Sequence, residues 1–146
     1  MADDTAMRQL VVFSLGEEEY ALPITHVQEI IRYSEPRSVA AENAWIRGVI
    51  SLRGKIVPVC DLAARLGLPA QSDENTKIVI VEADGRTAGV VVGEVEEVLS
   101  IDDSQVDALP TVGADCIEGI VKLDDRLVVL LNPDGIFSGV ELAAAA

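Results

Sequence analysis

The chain contains itself twice. Set above Lys77–Leu99 at a constant offset of 68, the stretch Gln9–Ile31 places eleven of its twelve apolar residues opposite apolar residues; only Ala21, facing Gly89, departs. The strongest local match is Val27-Gln28-Glu29-Ile30-Ile31 against Val95-Glu96-Glu97-Val98-Leu99. Further on, Ile46–Val59 matches Ile117–Leu130 at an offset of 71, with all seven apolar positions coinciding, Gly48 opposite Gly119 and Lys55 opposite Arg126. The extra residues fall in the intervening loops, where length changes cost little. A shared strand alternation raises any such agreement, but the coincident glycines and the coincident order of segments point to duplication.

Each repeat reads as short strands joined by turns. Leu10–Leu15 and Ile78–Ala83 are rich in β-branched residues and end in turn signals, Gly16 and Asp84-Gly85. Tyr20–Ile24 and Ala88–Val92 form the returning arms. Later hairpins turn at Leu52-Arg53-Gly54-Lys55 and Leu123-Asp124-Asp125-Arg126, between Ile46–Leu52 and Ile56–Val59, and between Ile117–Leu123 and Leu127–Leu131. A unit of roughly 55 residues with four or five such strands is too small to leave a sheet open, which predicts a small closed barrel for each repeat. Helices are few: Asp61 caps Leu62–Leu66, and Pro133–Phe137 takes the equivalent place in the second repeat. The resulting division is repeat one over about 9–66, a polar linker over 67–76 and repeat two over about 77–137, with flexible termini at 1–7 and 138–146.

Composition narrows the function classes. Of 146 residues, 49% are hydrophobic, enough for a core, while 25 acidic side chains against 11 basic ones give a net charge of −14. That balance argues against general affinity for nucleic acid or anionic membranes, whose phosphates need clustered Lys and Arg. The acidic, polar start Met1–Met7 is neither a signal nor a transit peptide, and no apolar run approaches the roughly 18 residues that span a bilayer. Cys60 and Cys116 therefore read as reduced thiols of a cytosolic protein.

The sequence carries no recognisable catalytic constellation. His26 has no second histidine and no metal-ligand spacing to either cysteine. Gly89-Val90-Val91-Val92-Gly93 resembles a glycine-rich loop but falls where the repeat requires a strand. The acidic clusters Asp102-Asp103, Asp124-Asp125 and Glu94/Glu96/Glu97 lack the alternation and central glycine of a calcium loop. No catalytic residue, metal or cofactor is expected, and the chain reads as a non-enzyme.

Charge is unevenly spread. Arg32, Arg37, Arg47, Arg53, Lys55 and Arg65 share a window with only Glu35, Glu42 and Asp61, which leaves it at +3 and the rest of the chain at −17. A positive region on an acidic body orients docking more than it adds affinity. The plainer alternative is that these bases neutralise nearby acids.

The assembled motifs resemble a known family. The run Val12-Phe13-Ser14-Leu15-Gly16, followed by Tyr20-Ala21-Leu22-Pro23-Ile24, then Val27-Gln28-Glu29-Ile30-Ile31, then Ile46–Val59 with Asp61-Leu62, is similar to the CheW family of bacterial chemotaxis coupling proteins. The likeness extends over about residues 8–137. It implies a mainly β fold of two small five-stranded SH3-like β-barrel subdomains around a shared hydrophobic core, with a few short helices. It also implies a cytoplasmic adaptor, recruited to receptor arrays, that couples the cytoplasmic tips of methyl-accepting chemotaxis receptors to the regulatory domain of the histidine kinase CheA. Ser51 stands where the family usually has Asn, and the 40–44 loop lacks a proline often found there; neither bears on the fold. With no receiver or kinase segment, the chain resembles a stand-alone coupler.

The resemblance places partner binding at Val27, Glu29, Ile30, Ile31, Arg53 and Gly54. Val27, Ile30 and Ile31 can offer an apolar patch to a receptor helix, or can equally be core, as their counterparts Val95, Val98 and Leu99 can. Arg53 sits at a turn where its guanidinium can pair with Glu29 or with a partner carboxylate. The second copy has Asp124 opposite Arg53 but Glu97 opposite Glu29, so the arginine reads as a feature of one half. Competing readings are a coupler serving a non-flagellar pathway and, from a different class, a small nucleic-acid-binding barrel. The latter is disfavoured by the charge and by only two Phe, two Tyr and one Trp.

Overall fold

A computed structural model describes residues 7–38, 45–68, 76–83, 85–108 and 116–136. The first half supplies β1 (Met7–Leu15), β2 (Glu18–Pro23), β3 (Val27–Arg32), β4 (Ile46–Leu52), β5 (Lys55–Asp61) and the short helix α1 (Leu62–Arg65). The second supplies β6 (Lys77–Ala83), β7 (Arg86–Val92), β8 (Val95–Asp102), β9 (Val106–Asp107), β10 (Ile117–Lys122), β11 (Leu127–Leu131) and α2 (Pro133–Ile136). Asp61 caps α1 as its position suggests, its carboxylate accepting from the Ala64 N–H at 3.2 Å. The expected linker lies mostly outside the described residues, as do the 40–44 loop and the segments 1–6 and 138–146.

The strands form two sheets, ordered β8-β1-β2-β11-β10-β9 and β3-β6-β7-β5-β4. Exchange each strand for its repeat counterpart and the order β8-β1-β2-β11-β10 becomes β3-β6-β7-β5-β4. The internal duplication is therefore written into the topology. The repeats do not, however, close one barrel each. The hairpin β1–β2 leaves its own half and lies between β8 and β11, while β6–β7 lies between β3 and β5. Each sheet is a hairpin from one half framed by strands of the other.

Burial shows how the exchanged hairpins are accommodated. Along β1, Leu10 and Val12 face a core with Ala21, Ile101, Val128 and Leu130 inside the first sheet. The alternate residues Phe13 and Leu15 face a second core that includes Tyr20, Leu22, Val79, Val81 and Val90 from both sheets. Along β6 the same alternation sends Ile78 and Ile80 to a third core within the second sheet, and Val79 and Val81 to the shared one. Both hairpins are apolar on both faces, and such a hairpin is stable only where it has a core on each side. Each hairpin has both where it sits, the core inside its sheet on one face and the shared core on the other. The mismatched pair of the repeat, Ala21 and Gly89, lies on the inner faces, where a Cβ on Gly89 would come 2.8 Å from Ile78 Cγ2.

Each sheet also rolls until its edges meet. Beyond β3 the chain turns back so that the Arg37 N–H donates to the Val49 carbonyl at 2.8 Å and the Val49 N–H to the Arg37 carbonyl at 2.9 Å, tying the β3 edge to β4. In the other sheet, β8 passes through a 3₁₀ turn at Asp103–Gln105, held by a reciprocal Asp102–Gln105 capping box, into β9, which pairs with β10. The coincident glycines Gly48 and Gly119 mark these closures. A Cβ would lie 2.1 Å from the Arg37 carbonyl oxygen in one case and 2.6 Å from that of Asp107 in the other.

Candidate functional site

At one mouth of the second sheet, Leu52 pairs with Lys55 across a two-residue turn in which Arg53 has φ 53° and Gly54 φ 81°. Two consecutive left-handed residues define the hairpin turn whose twist matches its strands, and the first position ordinarily holds Asn, Asp or Gly. Among the described residues Arg53 is the only non-glycine with positive φ. Its guanidinium reaches across to β3, donating to both Glu29 carboxylate oxygens: Nη2 to Oε1 at 2.9 Å, and Nη1 to Oε2. The hydrogen bond to Glu29 holds the Arg53 guanidinium more firmly protonated. Because β3 and β4 are opposite edges in the sheet order, this fork-shaped ion pair spans the rolled sheet. The arginine is 73% exposed, so solvent screening leaves the pair little weight in folding and leaves its charge open to a partner.

The three apolar residues of the β3 motif part company. Val27 packs against the shared core and Ile31 against the core of the second sheet, while Ile30 is exposed. Burial alternates without a break along β3, so Val27, Glu29 and Ile31 are half-buried and Ile30 points outward, while a bulge at Gln28 shifts the register against β6. The second half repeats the pattern: Val95 packs on the shared core, Leu99 on the first sheet's core, and Val98 is exposed. Beside each turn lies one further exposed apolar residue, Ile56 in the first half and its counterpart Leu127 in the second.

An arginine also appears in the second half, which the alignment of Arg53 with Asp124 had hidden. Arg126 pairs with Glu97, the counterpart of Glu29, and its Nε lies 3.4 Å from Glu19 Oε1. The ladder there ends at Lys122–Leu127, so the turn is two residues longer and takes in Arg126, the counterpart of Lys55. The visible signal was the Lys55–Arg126 match. Around this second pair the charge is acidic. A hydrogen bond to Glu19, partial burial and the Glu19 and Glu94 charges push the Glu96 carboxyl up to about 6.

Half of the basic window is engaged within the molecule. Arg47 Nε donates to Asp61 Oδ2 at 3.1 Å, Arg53 holds Glu29, and Arg65 donates to the Gly135 carbonyl at 3.3 Å while lying 5.3 Å from the Trp45 ring centre. Among the described residues Arg32, Arg37 and Lys55 are exposed and make no ion pair. Neutralisation of nearby acids therefore accounts for Arg47 and Arg53. Cys60 and Cys116 are buried and not joined in a disulfide, and burial with the neighbouring Asp61 charge pushes Cys60 up to about 12. Among the described residues no three His, Cys, Asp or Glu side chains are grouped to hold a metal ion, and no helix is long and apolar enough to cross a membrane.

These features define a class: a duplicated, two-sheet β module that presents charged turns and exposed apolar residues at equivalent places in its two halves. A CheW-like domain matches residues 9–141. The chemotaxis protein CheW of Klebsiella aerogenes is 33% identical over 98% of this chain and 89% of its own length. The chemotaxis protein CheW of Bacillus subtilis is 32% identical over 88% of this chain and 85% of its own. Among solved structures, the scaffolding protein TtCheW from Thermoanaerobacter tengcongensis superposes with a TM-score of 0.85 at 35% identity, covering 91% of this chain and 94% of that one. The chain belongs to the CheW family, a family of scaffolds, and its role is that of a chemotaxis adaptor.

Proposed function

We propose that the chain joins the cytoplasmic tips of methyl-accepting chemotaxis receptors to the histidine kinase CheA, through the regulatory domain of the kinase, and that it does so at the inner face of the membrane without catalysis or cofactor. Family membership over nearly the whole chain supports the role. The observation that supports the site is the exposed Arg53–Glu29 fork beside Ile30. Gly54 permits the turn that projects the arginine, Val27 and Ile31 anchor β3 beneath the surface, and Ile30 with the fork meets the partner.

The test is a co-sedimentation of purified chain with CheA and receptor signalling fragments. Arg53→Asp and Glu29→Lys each lower recovery of the ternary complex at least tenfold while the circular dichroism spectrum is unchanged. Normal recovery with both variants would remove the site assignment. Failure of the unaltered chain to bind either partner would remove the role.

A further inference from the structure

Neither half of this chain owns a complete sheet. The first half contributes β1–β2 to the sheet that contains β8–β11, and the second contributes β6–β7 to the sheet that contains β3–β5. Each lent hairpin is joined on one side by a long antiparallel seam, Met7–Phe13 against Val95–Asp102 or Val27–Arg32 against Lys77–Val81, and on the other by a short parallel one. The shared core takes Phe13, Leu22 and Cys60 from the first half and Val81, Val90 and Leu131 from the second. Polar ties cross as well: Arg8 Nη1 lies 3.2 Å from Glu118 Oε2, and Arg65 reaches the Gly135 carbonyl. Against all this, the halves are joined covalently once, between Leu68 and Thr76.

We propose that the two halves form a self-complementary pair held together by the reciprocal loan of hairpins, with the covalent connection between Leu68 and Thr76 dispensable for the native fold. Each half presents a gap of fixed shape between two strands, open on both faces, and the occupant that fits it is the apolar hairpin of the other half. A hairpin from a second copy has the same sequence and fits the same gap, so exchange between molecules follows from the same geometry.

The test uses the full chain with a protease site inserted between Leu68 and Thr76, purified folded and then cut. The cut protein should elute in one peak containing both fragments, at the volume of the uncut chain, with unchanged Trp45 emission. Because unfolding now releases two molecules, its urea midpoint should fall on tenfold dilution while that of the uncut chain stays fixed. Recovery of a species of twice the mass, on refolding the uncut chain at high concentration, would also support the loan of hairpins. Separation of the fragments after cutting, or a cut protein whose midpoint ignores concentration, would overturn the proposal. Should the insertion itself prevent folding, the unmodified chain decides. Trp45 fluorescence and far-ultraviolet circular dichroism should then give one urea transition, and two separated transitions would show that each half stands alone.

Discussion

The carbonyl of Arg37 passes over the Cα of Gly48 so closely that a Cβ there would sit 2.1 Å from the oxygen, and Gly48 has φ 146°, a conformation that L side chains rarely adopt. Overpacking and backbone strain each cost about 1–3 kcal/mol. Gly48→Ala should therefore lower the urea midpoint more than any other single alanine substitution on β4. Gly119→Ala should cost less, because its contact is longer and its φ is not in the positive range. Equilibrium unfolding of both variants checks the order, and equal effects would mean that the first closure is no tighter than the second.

Arg53 occupies a turn position that suits asparagine better. Arg53→Asn should leave the melting temperature equal or higher while reducing recovery of the receptor–kinase complex. The two readouts move in opposite directions only if the arginine is kept for binding. A variant that lost stability and binding together would mark Arg53 as structural.

Ile30 and Ile31 are adjacent yet face opposite ways. Truncating half-buried Ile31 to Ala should cost roughly 1–2 kcal/mol, about half of what a fully buried site loses. Ile30→Ala should change stability by no more than about 0.5 kcal/mol, as surface substitutions do. If the apolar patch meets a partner, only the second variant weakens the complex at unchanged fold. Chemical denaturation alongside co-sedimentation separates the two.

Glu96 is raised from the ordinary 4.5 to about 6, first through its hydrogen bond to Glu19. A group with a raised folded pKa binds its proton more tightly when folded, so its contribution to stability is complete below about 4.5 and is lost as pH rises past about 6. Above that range both carboxylates are ionised and repel. Glu96→Gln should then be more stable than the unaltered chain at pH 7 and should lose that advantage by pH 4.5, as read from urea midpoints. An advantage that persisted unchanged at low pH would place the effect elsewhere than in this proton.

Much of this was legible in the residues, because duplication fixes which strands correspond and apolar runs show where they are. Sequence matching is nevertheless silent on which half a hairpin joins. Phe13 and Val12 read alike as apolar, and only the three-dimensional arrangement sends one to the shared core and the other inside a sheet. The Glu29–Arg53 pairing was one of two that the motif and turn chemistry allowed, a partner carboxylate being the other. Its counterpart was hidden, since the turn there is two residues longer and its arginine, Arg126, lies two aligned positions beyond Asp124, opposite Lys55. The bulge at Gln28, which shifts the register of β3 against β6, was equally silent.

The loan of β1–β2 also sets a timetable for synthesis. That hairpin leaves the ribosome before the other strands, but its antiparallel neighbour β8 ends at Asp102 and its parallel neighbour β11 at Leu131. At roughly 5–20 residues per second, the emerging chain carries two apolar strands without neighbours for several seconds or more. Meanwhile β3 to β7, all made by Val92, already suffice to assemble the other sheet. Of these strands the β1–β2 hairpin is thus made earliest and is among the last to be sheltered, and it is where a nascent-chain chaperone has the most to cover.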